Sequence, residues 1–250
     1  MSVQSRKPCE GEAARIGTLP KLPVFFDLRD KDAVVVGGTE AAAGKALLLG
    51  AAGARVCVVA EIVGTEMRGV AETITARIVE RVWRPEDLAG AAIVVADAAD
   101  EEEAHAIRNA ARSAGAPVNV IDRPAFCDFQ FGSIVNRAPV VIGISTDGAA
   151  PILGQAIRRR IEMLLPRWLG IWADAAKDLR ATVAAQLGDP GRRRAFWERF
   201  ADLAFSAEPR TAPERDLIDI VDRLSSATSD TGHVTLVGAG PGDAEYLTLK

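Results

Sequence analysis

The hydrophobic pattern splits the chain into an early part with short, unbroken apolar runs and a later part with helical periodicity. Residues 32–36 (DAVVV) form an apolar run that stops at Gly37-Gly38. An alanine-rich stretch from Glu40 to about Gly50 then has helix-forming composition. Gly53 ends it, and residues 54–60 (ARVCVVA) predict a second buried strand. Residues 91–98 (AAIVVADA) predict another strand. An acidic helix start follows at Asp100, Glu101, Glu102 and Glu103, which suits the positive end of a helix dipole. Gly115 and Pro117 punctuate the chain before a further strand at 118–122 (VNVID). Strands that are apolar along their whole length predict a parallel sheet covered on both faces.

The character changes after Asp122. Residues 123–150 hold short β-like pieces, FQFGSIV and APVVIGIST, with a turn signal at Asp147-Gly148. Pro151 suits the first position of a helix that runs on to Pro166. Residues 167–225 carry apolar positions at three- and four-residue spacing, with breaks near 189–191 and 209–213. Residues 226–233 read as a linker, and VTLVGAGPGDAEYLTLK then begins a fresh strand and glycine-rich loop.

Composition narrows the class. The chain has 250 residues, 48% apolar and 26% charged, as in ordinary globular proteins. Its net charge of −4 argues against non-specific nucleic-acid binding. No apolar run approaches the roughly 20 residues of a membrane span. The polar N-terminus predicts no signal peptide and a disordered leader to about residue 20. Cys9, Cys57 and Cys127 are odd in number and lack CxxC spacing, which fits a reducing cytoplasm. His105 and His233 are the only histidines, too few for a built-in zinc site. A metal is therefore expected as a substrate and not as a resident.

The strand, the Gly37-Gly38 turn and the helix after it form the layout of a dinucleotide site. Glycine permits the tight turn, and the helix N-terminus offers free N–H groups to pyrophosphate. Glu61 follows Gly37 by 24 positions. A carboxylate there accepts from the adenosine ribose, favouring NAD over NADP. Laid on GxGxxG/A, the motif reads Gly37, Thr39, Ala42. Thr39 replaces the second glycine, and its Cβ is expected to crowd the pyrophosphate. A Rossmann-like domain that binds no nucleotide is the other reading of the motif. Gly44 and Gly53 read as packing and helix-end glycines.

Two stretches carry a more specific signal: residues 22–38 (LPVFFDLRDKDAVVVGG) and residues 118–162. Both resemble the bifunctional precorrin-2 dehydrogenase/sirohydrochlorin ferrochelatase family, over roughly residues 22–225 in order. The tail TLVGAGPGD (235–243) resembles the first loop of a uroporphyrinogen-III methyltransferase module, which is expected here only as a truncated start. The resemblance implies an α/β protein with a Rossmann-like parallel sheet domain, followed by a small α+β dimerisation region and a helical domain. The implied boundaries are 21–132, 133–165 and 166–225, with 226–250 as linker and methyltransferase start.

The resemblance also implies an intertwined homodimer that takes tetrapyrrole substrates. The implied reactions are NAD-dependent oxidation of precorrin-2 and insertion of ferrous iron. Gly37, Gly38, Thr39, Glu40 and Ala41 match the cofactor turn, and Glu61 and Ile62 the second cofactor-contacting pair. Asp122 matches the family's catalytic aspartate. Thr146 matches a position that is serine, and phosphorylated, in some relatives. Pro241 matches an S-adenosylmethionine contact of the full-length methyltransferase. Two departures stand out: Thr39 occupies a family glycine, and ADAAD (96–100) replaces the commoner AATDD.

A single carboxylate beside the macrocycle suits both reactions as general base. Asp122 ends a parallel strand, where such sheets form their ligand crevice. Its other reading is a turn former before Arg123-Pro124. A substrate with eight carboxylates calls for basic and hydroxyl groups. Ser133, Asn136, Arg137, Thr146 and Arg158 are the candidates. Arg159 and Arg160 share a run with Arg158, and three consecutive residues cannot share one helix face. Cys127 reads as a small packed residue, and Arg192-Arg193-Arg194 beside Phe196 and Trp197 as a solvated face packed by its aromatics. A dehydrogenase without chelatase activity, a non-catalytic tetrapyrrole-binding module and an unrelated NAD oxidoreductase remain open at this point.

Overall fold

The computed structural model describes residues 17–209 and 212–226. Most of the expected leader, the linker after Ser226, Pro241, Cys9 and His233 lie outside these residues. The described chain divides into two compact units. One holds residues up to Ser133 together with Gly143–Gly154, and the other holds Ile134–Ile142 and the residues from Gln155 onward.

Five parallel strands build the first unit: β1 (Asp32–Val36), β2 (Arg55–Ala60), β3 (Arg77–Glu80), β4 (Ile93–Ala96) and β5 (Val118–Val120). Their order is β3-β2-β1-β4-β5. Helices α1 (Glu40–Ala51), α2 (Thr65–Ile74) and α3 (Glu101–Ser113) form the crossovers. Alternation along β1 shows why both faces are apolar. Ala33 and Val35 pack with Ala42, Ala46 and Leu49 of α1 and Met67 of α2. Val34 and Val36 pack on the other face with Ala104, Ile107 and Ala111 of α3. The period-2 geometry of a strand sends neighbours to opposite sides, and here both sides are dry.

Capping fixes the helix starts. Thr39 caps α1, its hydroxyl accepting from the Ala42 N–H at 3.2 Å. Asp100 caps α3 by accepting from Glu103 N–H at 2.8 Å, while the Glu103 carboxylate reaches back to the Ala99 N–H at 2.7 Å. Together they satisfy donors that a helix start leaves unpaired.

The pattern misses α2, β3 and a 3-10 turn at Pro85–Leu88. β3 is an edge strand whose residues are exposed or half-buried, so no continuous apolar run marks it. Two strands are shorter than expected. The 91–98 strand is reduced to Ile93–Ala96, and the 118–122 strand stops at Val120 because Asp122 turns the backbone to φ +57°. Gly44 is corrected too: it faces solvent on α1, and a Cβ there would touch nothing within 4 Å. It does not pack in this chain. Gly53 follows α1 with φ +85° and ends the helix as expected.

A hairpin of β6 (Ser133–Arg137) and β7 (Val140–Ile144) carries the chain between the units. Helix α4 (Pro151–Leu164) starts at Pro151. The second unit packs α5 (Leu169–Gln186), α6 (Pro190–Ser206) and α7 (Pro213–Ser226) around Trp172, Phe196 and Leu217. Trp172 is buried, and its indole N–H donates to the Ala207 carbonyl at 2.8 Å. Arg192 and Arg193 donate to the carbonyls of Ser225, Leu187 and Gly188, and Arg194 pairs with Glu198.

Ile107 is fully buried between α3 and the sheet. Ile107→Ala is expected to cost about 2–5 kcal/mol, because the removed methyl groups leave a hole that the sheet cannot close. Urea unfolding followed by circular dichroism measures it.

Candidate dinucleotide site at the strand ends

All five strands point their C-terminal ends the same way, because every pairing in the sheet is parallel. The topology switches between β1 and β4: β2 and β3 extend to one side, β5 to the other. Open parallel sheets form their ligand crevice at such a switch. The expected residues gather on that edge. Gly37 and Gly38 follow β1, Glu61 and Ile62 follow β2, and Asp122 follows β5.

Backbone demands explain the glycines. Gly37 has φ +111°, and a Cβ on it would stand 3.0 Å from Asp97 Cβ. Gly38 touches the β2 turn so closely that a Cβ would lie 2.2 Å from the Ile62 carbonyl oxygen. The Gly64 N–H donates to the Gly38 carbonyl at 2.9 Å, tying the two turns together. No larger residue fits either place. Thr39, Glu40 and Ala41 are exposed at the start of α1, and Glu61 and Ile62 are exposed after β2. These features fit a dinucleotide: a glycine turn, an open helix N-terminus and a carboxylate after β2.

Asp97 is a residue the sequence reading did not single out. It follows β4, half-buried, and its carboxylate accepts a hydrogen bond from the Thr39 hydroxyl. The available signal was the ADAAD stretch (96–100), which puts a carboxylate directly after an apolar strand.

Asp122 is exposed in a left-handed turn. Among the described residues its carboxylate accepts no hydrogen bond, so it faces solvent and not a packed interior. Cys127 braces this turn. Its thiol lies 3.2 Å from the Val120 carbonyl, 3.4 Å from the Arg123 carbonyl and 3.3 Å from the Val120 N–H. Burial pushes the thiol pKa up and the nearby Asp128 charge adds to this, opposed by the hydrogen bond from Val120 and by Arg108. A thiol held protonated is a poor nucleophile. Asn119, buried beside it, donates to the Phe129 carbonyl at 2.9 Å.

The residues expected to meet tetrapyrrole carboxylates fall in both units. Ser133 and Thr146 belong to the first and lie beside Gly154, where a Cβ would meet the Ser133 hydroxyl oxygen at 3.4 Å and Thr146 Cγ2 at 3.6 Å. Lys21 pairs with Asp147 next to Thr146. Asn136, Arg137 and Arg158 belong to the second unit. Asn136 and Arg137 line a hollow of about 550 Å³ with Glu162, Arg167, Gly170 and Asp174. Arg137 donates to the carbonyls of Asn136 and Glu162, and its buried Nε has no partner among the described residues. Arg158 pairs with Glu162 at 3.1 Å. Both arginines thus have structural partners in this chain. Among the described residues, no helix is long and apolar enough to cross a membrane.

Comparison with known proteins gives this edge its relatives. A family model described for NAD(P) binding matches residues 24–133, and the sirohaem synthase dimerisation region matches residues 169–212. The sirohaem synthase of Methylococcus capsulatus is 39% identical over 235 residues, covering 92% of this chain and 49% of that protein. That of Pseudomonas aeruginosa is 39% identical over 236 residues, covering 92% and 50%. Over 92% of its length the chain is thus similar to sirohaem synthases. It spans about half the length of the curated relatives it matches. A solved structure of SirC, precorrin-2 dehydrogenase, shares its fold with TM-score 0.60 and 18% identity, over 81% of this chain and 100% of that one. The dimerisation match falls on α5 and α6, within the stretch expected as a helical domain. Residues 134–165, most of the segment expected for dimerisation, lie outside both matches.

Replacing the bracing thiol tests how Asp122 is held. Cys127→Ala is expected to lower stability by about 1–2 kcal/mol, from lost packing and from polar backbone groups left unpaired. Thermal unfolding measures it.

Proposed function

We propose that this chain oxidises precorrin-2 to sirohydrochlorin with NAD as hydride acceptor, and that it inserts ferrous iron to give sirohaem. The carrying observation is the strand-end edge. Gly37, Gly38, Glu61 and Asp122 lie along the C-terminal edge of one parallel sheet, in a chain with 39% identity to sirohaem synthases over 92% of its length. Homodimer formation and a cytoplasmic setting belong to the same reading. The match to a dimerisation region on α5 and α6 supports the first, and the cysteine pattern supports the second.

Gly37 and Gly38 admit the pyrophosphate, and the N–H groups at the start of α1 bind it. Glu61 holds the adenosine ribose through its hydroxyls. Bound NAD supplies a hydride acceptor. Oxidation removes a hydride from a carbon of the macrocycle together with a proton, and Asp122 takes the proton. The sum is precorrin-2 plus NAD+ giving sirohydrochlorin, NADH and H+. In metal insertion two pyrrole protons leave as ferrous iron enters, and Asp122 accepts them one at a time, passing each on to water. Ser133, Thr146, Asn136, Arg137 and Arg158 are assigned to the substrate's carboxylates in the assembled protein.

Asp122→Asn tests the role of the base cleanly, because asparagine tolerates the left-handed backbone that Asp122 adopts. Anaerobic mixing with precorrin-2 and NAD+ is followed by NADH absorbance. Sirohydrochlorin with ferrous ion is followed by its spectral change. The variant is expected to lose about 10²- to 10⁴-fold in kcat for both reactions, with KM for NAD+ little changed. Loss of only one activity would assign the two steps to separate groups. No NADH formation by the parent protein would sink the dehydrogenase.

A further inference from the structure

Thr39 and Asp97, 58 residues apart in the chain, touch each other. Thr39 stands at the cap of α1, and Asp97 follows β4. The Thr39 hydroxyl donates to the Asp97 carboxylate and accepts from the Ala42 N–H at 3.2 Å. Gly37 completes the cluster, with Asp97 Cβ only 3.0 Å from where its own Cβ would be. The cluster sits at the topological switch between β1 and β4.

We propose that Asp97, held by Thr39, is a specificity-determining residue that weakens binding of pyrophosphate-bearing nucleotides at this turn. The inference rests on the dinucleotide reading given above. An anion bound at a helix start gains from free N–H groups and from the positive end of the helix dipole. Here the Ala42 N–H is already used by Thr39, and a carboxylate lies one hydroxyl away. Glu40 adds a second negative charge in the first turn of α1. An arriving pyrophosphate therefore meets like charge at this turn. At separations of several ångströms near a protein surface, removing one such charge is worth roughly tenfold in affinity. The functional consequence is exchange: a dinucleotide held less tightly leaves sooner after each hydride transfer.

The alternative role for a carboxylate after β4 is to accept a hydrogen bond from a ribose hydroxyl, which would strengthen binding. The two roles predict opposite signs. Titration calorimetry on the full chain with NAD+, ADP-ribose and adenosine separates them. Asp97→Asn keeps an oxygen for the Thr39 hydroxyl and removes the charge. Asp97→Ala removes both, and a thermal melt checks that each variant folds.

The expected result is a Kd about tenfold lower for NAD+ and for ADP-ribose in both variants, with adenosine unchanged. Equal or weaker ADP-ribose binding by Asp97→Asn overturns the proposal. Tightening of adenosine by the same factor also overturns it, because the effect would then be a reshaped loop and not charge. Tightening by Asp97→Ala alone overturns it in favour of a purely steric role. Failure of the parent and both variants to bind any of the three ligands overturns the dinucleotide reading and this inference together.

Discussion

β1 is hydrogen-bonded along both edges and covered on both faces, so polar chemistry can leave it only at its ends. β2 flanks it on one side and β4 on the other, in register from Ala33 to Val36. Parallel pairing sets all the C-terminal ends on one edge of the sheet. Within the sheet itself the core is dry, and a charge there would face a desolvation cost of several kcal/mol. The glycine turn, Glu61, Asp97 and Asp122 therefore share an edge because the sheet leaves them no other place.

Two-sided burial also made this part of the fold readable in the sequence. DAVVV, ARVCVVA and AAIVVADA carry apolar runs because their apolar residues meet either the α1–α2 layer or the α3 layer. β3 has no such constraint. It lies at the sheet edge with its four residues exposed or half-buried, and its sequence RIVE carries no strong pattern. α2 is short and its first turn holds Thr65 and Glu66, so it too leaves a weak trace. In the helical unit the three- and four-residue spacing was legible, because Trp172, Phe196 and Leu217 must all reach one core.

The site was legible where a backbone constraint selects the residue. Gly37 and Gly38 answer to a positive φ and to a 2.2 Å approach, both of which exclude a side chain. Thr39 was read as an obstacle to pyrophosphate, and the structure adds that it is the helix cap. Asp97 was illegible as a partner for Thr39 because 58 residues separate them and no local pattern links a strand end to a distant cap. Asp122 was open between base and turn former, and the structure shows the turn. It turns the backbone at φ +57° while its carboxylate stays exposed.

That double character has a physical logic. The base proposed for two proton transfers needs a carboxylate held in place without losing its charge to an internal partner. Hydrogen bonds to the carboxylate would fix it but would also lower its basicity. Here the backbone does the holding. The left-handed turn sets where the side chain departs, and the Cys127 thiol braces the turn from Val120 to Arg123 through groups that never touch the carboxylate. Asp97 shows the opposite arrangement on the same edge: its carboxylate is engaged by Thr39, so it acts as a fixed charge beside the helix start. Two aspartates at the ends of strands in one sheet are thus set apart by what holds each of them, backbone in one case and a hydroxyl in the other.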